Sequence, residues 1–285
     1  MTATWTPRPA PSPGRVLRDH LAAELLKATS TRLLTRGVGL ALALPPVLAA
    51  LLGAAMGSRE SFCATPGNEC RNTLALPDET VATIGVLGDG VPGAGLTVLT
   101  VLAAVLLLAE VRTNTLSTAF LVTPRRLPVV LAKIALVVLV VVPTTFVATL
   151  ASGVVFDVVA GPAAARVEPL SAAAIGVAAR TTYVVLAFSL MALGVAALTR
   201  HAGVTLGLVV AWPAFVEPLV PAVLPHGEHL ARFGPFANAL EVVGTGSGVV
   251  PWGAGVSAAY VGVVAVVLLG AGVVRLLRVD LARTT

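Results

Sequence analysis

Two apolar runs decide the fold of this chain: residues 91–109, VPGAGLTVLTVLAAVLLLA, and residues 129–150, VVLAKIALVVLVVVPTTFVATL. The first carries no charged residue, and the second carries only Lys133. At about 1.5 Å per residue, helices of this length reach across a hydrocarbon core of about 30 Å. Because lipid offers the backbone no hydrogen bonds and neither run alternates polar with apolar residues, both predict transmembrane α-helices rather than barrel strands.

The composition of the whole chain extends this prediction to an all-α integral membrane protein. The 285 residues are 56% hydrophobic and only 12% charged, with a mean hydropathy of +0.93, which excludes an ordinary soluble domain. Six spans are predicted, at roughly residues 37–57, 91–109, 128–150, 178–199, 203–221 and 254–274. Arg180 interrupts the apolar stretch of the fourth span, and we interpret it as a snorkelling residue at the outer boundary.

The distribution of positive charge predicts the orientation. With six spans, all but five of the 19 Lys and Arg residues fall on the side that holds both termini. The five exceptions are Arg59, Arg71, Arg166, Arg180 and Arg232. The positive-inside rule therefore predicts cytoplasmic termini, and the net charge of +5 reflects topology and attraction to anionic lipid rather than nucleic-acid binding.

The segments around the spans define the domain organisation. Residues 1–14, rich in Pro and Thr, predict a disordered cytoplasmic tail, residues 15–274 a single six-span domain, and residues 275–285 a cytoplasmic C-terminal tail. Leu17, Leu21, Leu25 and Ala28 form an apolar stripe, which predicts an amphipathic helix on the inner leaflet. Glu24 borders this stripe, so a solvated extension of the first span remains the alternative.

The two cysteines, Cys63 and Cys70, both fall in the first outer loop. An oxidising environment on that side predicts a disulfide between them, with two unpaired thiols as the alternative. No catalytic constellation is recognised: His226, Glu228 and His229 lack the spacing of a helical zinc site, so no metal is predicted. No phosphate-binding loop precedes either lysine, so any ATP that drives function must bind another polypeptide.

A polar insert, residues 110–133, separates the second and third apolar runs. Within it, Leu116, Ala119 and Phe120 share one face of a short helix that Pro124 ends. Such a helix suits a groove on a partner protein, with Arg125 and Arg126 facing carboxylates at its rim. An ordinary basic cytoplasmic turn is the alternative.

The insert also carries three motifs in order: Glu110-x-Arg112-x-x-Thr115, Thr123-Pro124-Arg125-Arg126 and Ala132-Lys133. They are followed by Val216-Glu217-Pro218-Leu219 and Gly234-Pro235-Phe236-Ala237. This series resembles the permease subunits of type-2 ABC exporters, especially small actinobacterial ones, and the resemblance covers most of the chain. It implies an N-terminal elbow helix, a coupling helix in the insert and a re-entrant outer hairpin after the fifth span.

The resemblance also implies partners and site residues. The coupling residues would be Glu110, Arg112, Thr115, Leu116, Phe120, Pro124, Arg125 and Arg126. Two copies of a separate ATPase subunit would bind ATP and Mg²⁺, so the chain itself would be neither an enzyme nor a cofactor-binding protein. A second permease subunit, identical or homologous, would complete the transporter in a bacterial plasma membrane.

Ionisable residues within spans mark functional sites by default, which singles out Glu217. We expect Glu217, together with Arg180, to act in substrate passage or gating. The alternative is a structural role for Glu217, as a partner of Arg180 or of free backbone N–H groups beside Pro213 and Pro218.

The function predicted from these features is ATP-driven export of an amphipathic drug, lipid or peptide. An ion-gradient-driven transporter and a structural membrane subunit without transport activity remain alternatives. The first requires titratable groups at mid-membrane, and the spans nearly lack them. An intramembrane enzyme is disfavoured, because no paired carboxylates or His/Glu clusters occur at helical spacing within the spans.

Overall fold

The structure is a computed structural model that describes residues 13–63, 83, 85–88, 92–113, 115, 126–160, 170–246 and 248–278. Its described residues are helical and contain no strand. The helices are α1 (Pro13–Ser30), α2 (Arg32–Cys63), α3 (Ala94–Arg112), α4 (Leu127–Ala160), α5 (Ala172–Thr199), α6 (Ala202–Leu206), a π-helix (Gly207–Val216), α7 (Glu217–Val223), α8 (Gly227–Ala231), α9 (Pro235–Val243) and α10 (Ala254–Arg278).

Six helical stretches among these residues are long and apolar enough to cross a membrane, which confirms the predicted number of spans. Spans 1 to 6 are Arg32–Met56, Ala94–Arg112, Leu127–Ala160, Ala172–Thr199, Ala202–Val223 and Ala254–Arg278. The chain is therefore a multi-pass membrane protein.

The boundaries of the spans differ from the predictions at several ends. Span 3 continues to Ala160, past the predicted end at residue 150, because residues 151–160 remain apolar enough to extend the helix. Span 4 begins at Ala172, and the hydroxyl of Ser171 caps it by accepting a hydrogen bond from the amide of Ala174 at 3.2 Å. Arg180 therefore lies inside the helix rather than at its start. Span 6 continues to Arg278, into the segment predicted as a tail.

Span 4 lies at the centre of the bundle and packs against spans 2, 3 and 6. Its approach to span 6 is close, because Gly194 and Gly272 face each other without side chains. A Cβ built on Gly194 would lie 2.5 Å from the carbonyl oxygen of Leu268, and one built on Gly272 would lie 2.7 Å from the carbonyl oxygen of Gly194. Such close backbone contact between spans is available only to small residues.

Span 5 has the least buried surface of the six. It starts as α6, widens into a π-helix over Gly207–Val216 and returns to α-helix at Glu217. The span stays helical past Pro213 and Pro218, because its hydrogen-bond register changes there. A wider helical turn accommodates the missing proline N–H without unwinding the span.

The segment between spans 5 and 6 contains two short helices, α8, which packs against α7, and α9. Helix α9 packs against α10 and α5, and its residues Phe236, Asn238, Ala239 and Val243 are buried. Asn238 donates hydrogen bonds to the carbonyl oxygens of Arg232 and Gly234, each at 2.9 Å, and accepts one from the indole of Trp252 at 2.9 Å. Helix α9 is thus part of the folded bundle rather than a loose loop.

Candidate functional site

Both helices that flank the polar insert place a charged residue inside the protein. Glu110 lies in the last turn of α3, and Lys133 lies in the second turn of α4. Each shares a face with the apolar residues that form the core, which here include Leu107 and Leu136. The side chains of Glu110 and Lys133 are only 8% and 4% exposed. Buried charges of this kind require partners of opposite sign.

The partners come from each other and from α1. Lys133 Nζ lies 2.7 Å from Glu110 Oε1 and 2.9 Å from Glu24 Oε2, and Lys27 Nζ donates to Glu110 Oε1 at 2.6 Å. These four residues, here called the ion-pair cluster, alternate in sign along the path Glu24, Lys133, Glu110, Lys27. The cluster is electrically neutral, so it removes the cost of two buried charges while joining three helices.

The two sides of the ion-pair cluster differ in exposure. Lys27 is 46% exposed, whereas Glu24 is 15% exposed and Lys133 is almost fully buried. Water screens an exposed ion pair, so its contribution to stability is only roughly 0–1 kcal/mol. Loss of one partner from a buried pair destabilises the protein by about 3–5 kcal/mol. Lys133 is therefore the main link between α1 and the spans.

The other described residues of the polar insert lie outside the ion-pair cluster. Arg112 and Thr115 are exposed, and the hydroxyl of Thr115 lies 3.0 Å from that of Thr113. Arg126 is half-buried, and its Nη1 donates to the carbonyl oxygen of Leu277 in the last turn of α10 at 3.3 Å. Arg126 thus binds the C-terminal end of span 6, where helix carbonyls attract a cation.

The remaining predicted coupling residues, Leu116, Phe120, Pro124 and Arg125, lie outside the described residues. The same holds for Cys70 and for the side chain of Cys63, so the disulfide stays a prediction.

Basic residues from other spans gather at the same end of the bundle as the ion-pair cluster. Arg200 follows span 4 and adopts a left-handed conformation with a φ of 55°. Burial, followed by the nearby charge of Arg275 on α10, lowers the pKa of the Arg200 guanidinium. Arg126, Arg200 and Arg275 thus place positive charge at one end of the bundle.

Glu217 lies on span 5, where the π-helix changes to α7, and it is buried. Its Oε1 accepts a hydrogen bond from the amide of Ala237 at 2.7 Å. Ala237 is in the first turn of α9, whose preceding residue, Gly234, supplies no side-chain cap. Gly234 also leaves room for the carboxylate, since a Cβ there would collide with Glu217. Glu217 therefore caps α9 from a distant part of the chain.

The structure does not join the two residues predicted for substrate passage. Among the described residues Glu217 binds the backbone of α9, not Arg180, which lies on span 4. Glu217 binds a free backbone N–H group, but that group belongs to Ala237 on α9 and does not lie beside Pro213 or Pro218. A role for either residue in substrate passage stays a prediction.

A cavity of about 200 Å³ opens between spans 2, 4 and 5. Its lining is apolar and includes Leu96, Thr100, Phe188, Val209, Pro213 and Phe215. The hydroxyl of Thr100 bonds to the carbonyl oxygen of Leu96 on its own helix at 2.7 Å, so it presents mainly its methyl group. This space suits an apolar group rather than an ion.

The chain offers no candidate metal centre among its described residues, where no three potential ligands come together. The rings of His226 and His229 are stacked with centroids 6.3 Å apart.

The sequence does not predict the ion-pair cluster, although Glu24, Glu110 and Lys133 each stand out in it. Glu24 interrupts the apolar stripe of α1, and Lys133 is the single charge near the start of span 3. The signal that could identify the cluster is the presence of both, because a charge on an otherwise apolar face predicts an opposite charge on the surface against which it packs.

Comparisons with protein-family models, curated proteins and solved structures find no match for this chain.

Proposed function

We propose that this chain is the membrane-spanning permease subunit of an ATP-driven exporter of the ABC type. The observation that carries the proposal is the ion-pair cluster, which fixes both ends of the polar insert to each other and to α1. A solvated turn between two spans does not require ion pairs that hold its ends in place. A segment that receives force from a partner protein does require them, because a loosely held segment would move by itself without displacing the spans.

The proposal assigns the insert as the contact with a separate ATPase. A short coupling helix that includes Leu116 and Phe120 would seat its apolar face in a groove of the ATPase, with Arg125 against acidic residues at the rim. Helix α1 would lie along the inner membrane surface, and both termini would be cytoplasmic in a bacterial plasma membrane. The absence of a phosphate-binding loop before Lys27 or Lys133 supports placing ATP and Mg²⁺ on the partner.

Transport would follow from a change in the relative positions of the spans. Closure of two ATPase subunits around ATP would displace the inserts of two permease subunits and shift the spans between inward- and outward-open states. The cavity between spans 2, 4 and 5 supports an amphipathic substrate, because its apolar lining offers little to a strongly polar solute.

The test begins with purification of the tagged chain together with the ATPase encoded beside it. Phe120→Ala is expected to weaken assembly, since truncation of an apolar anchor in a buried interface costs about 2 kcal/mol or more. Arg125→Glu is expected to do the same by placing a negative charge against an acidic rim. Arg166→Glu, a matched charge reversal in a loop predicted on the opposite side, is the control.

Co-purification, ATP hydrolysis and transport in proteoliposomes are measured in parallel for each variant. The proposal requires the two insert variants to reduce assembly or to uncouple hydrolysis from transport while membrane insertion and the Arg166→Glu control stay normal. Normal assembly, hydrolysis and transport in both insert variants would refute it and leave the insert as a solvated turn.

A further inference from the structure

The ion-pair cluster connects the insert to a helix that does not adjoin it in the sequence. Spans 2 and 3 flank the insert directly, and the pair between Glu110 and Lys133 joins those two spans. Glu24 and Lys27 add α1 to the same cluster, through contacts separated by 109 and 83 residues in the chain. The contacts of Glu24 and Lys27 thus fasten α1 to the two helix ends that flank the insert.

The packing around α1 shows why the ion pairs matter for the position of this helix. Helix α1 lies against α4 through a face on which Leu21 and Leu25 are half-buried and Ala28 is buried. Beside the ion-pair cluster a cavity of about 70 Å³ separates parts of α1 from spans 2 and 3. The apolar contact is therefore incomplete where the charges meet, so the ion pairs hold α1 at that point.

Helix α1 is in turn continuous with span 1. Only Thr31 separates α1 from α2, and α2 packs along span 3. A displacement of α1 therefore changes the position of span 1 within the bundle, because a connection of one residue allows two helices little independent movement.

From these contacts we propose that Glu24, Lys27, Glu110 and Lys133 are positioning residues that make α1 move as one unit with the two helix ends that flank the polar insert. The inference rests on the proposed function for its role in transport, and on the ion-pair cluster alone for its structural content. In this scheme force on the insert reaches span 1 through α1, in addition to reaching spans 2 and 3 directly.

A charge-exchange cycle tests the link specifically. Glu110→Lys combined with Lys133→Glu keeps the attraction between spans 2 and 3 but turns both contacts with α1 into repulsions. Glu24→Lys combined with Lys27→Glu does the same from the side of α1. All four changes together restore every pair with its sign reversed, so the fourfold variant is the rescue.

The first readout is hydrogen exchange of α1 amides in the isolated chain in lipid nanodiscs. Either double exchange is expected to reduce the protection of α1 by about tenfold or more, within the range of coupling that networked residues show, and the fourfold variant is expected to restore it. Arg18→Met, which removes an exposed charge of α1 outside the ion-pair cluster, is the control. Glu24→Gln is a milder variant that leaves the pair between Glu110 and Lys133 intact, and it is used if the double exchanges do not fold.

The second readout is the number of substrate molecules moved per ATP hydrolysed. Positioning residues predict a lower ratio in the double exchanges and recovery in the fourfold variant, with ATPase assembly retained. A purely stabilising role predicts less folded protein with an unchanged ratio, and that result would overturn the proposal, as would unchanged protection of α1. If no ATPase assembles even with the unaltered chain, the proposed function fails, while hydrogen exchange still decides whether the ion-pair cluster fastens α1.

Discussion

Substitution of Gly194 by alanine tests whether spans 4 and 6 meet as closely as the structure places them. The new Cβ would lie 2.5 Å from the carbonyl oxygen of Leu268, which is about 0.9 Å short of the 3.4 Å at which ordinary contact begins. The three nearest atoms all belong to the backbone of Leu268 and Leu269, so no rotamer change relieves the contact. The helices must separate, and overpacking of this kind costs about 1–3 kcal/mol.

The matched control is Gly176→Ala on the same helix. No atom lies within 4 Å of a Cβ at Gly176, so alanine meets no neighbour there. Alanine also replaces the poorest helix former other than proline, which favours the variant by up to about 1 kcal/mol in a water-exposed helix. We therefore expect Gly176→Ala to match or exceed the stability of the unaltered chain.

Reversible unfolding in mixed micelles measures both variants under the same conditions. A loss of about 1–3 kcal/mol corresponds to a shift of roughly 5- to 150-fold in the unfolding equilibrium. Equal stability of Gly194→Ala and Gly176→Ala would refute the close approach of spans 4 and 6.

Two further changes probe α9, and a third measurement probes the two cysteines. Glu217→Ala is expected to lower the hydrogen-exchange protection of α9 by removing its cap, at a cost of about 1–3 kcal/mol, while Glu217→Gln retains an acceptor oxygen and costs less. Asn238→Ala leaves the indole N–H of the half-buried Trp252 without its acceptor, so reduced thermal stability of similar size is expected in a fluorescence-detected melt. Mass spectrometry of unreduced peptides should find Cys63 bonded to Cys70, a loop closure worth about 2.5 kcal/mol, and two free thiols would contradict this.

The contrast between Glu217 and Lys133 illustrates how the surroundings decide the role of a charged residue in a span. Both residues stand out in the sequence because their neighbours are apolar. Glu217 binds the N-terminus of α9, whereas Lys133 binds two carboxylates on other helices. The first contact fixes a local turn of the chain, and the second joins distant elements around the segment proposed to receive force.

The sequence by itself determined the class of fold and the number of spans. Uninterrupted apolar runs must become helices in lipid, because each backbone group finds its hydrogen-bond partner only within its own segment. This requirement is local, so it could be read from residues 91–109 and 129–150 without knowledge of any contact. The polar insert between these runs could be read from the sequence in the same way, because its polar residues interrupt the apolar stretch.

Only the tertiary structure decided which spans meet and where the charged residues find partners. Spans 4 and 5 have similar mean hydropathies of 2.0 and 1.7, so hydropathy does not distinguish span 4 at the centre from span 5 at the edge. The contacts of Glu24 with Lys133 and of Glu217 with α9 join residues on different helices. Such pairings depend on the relative rotation and depth of packed helices, and no local pattern of residues contains that information.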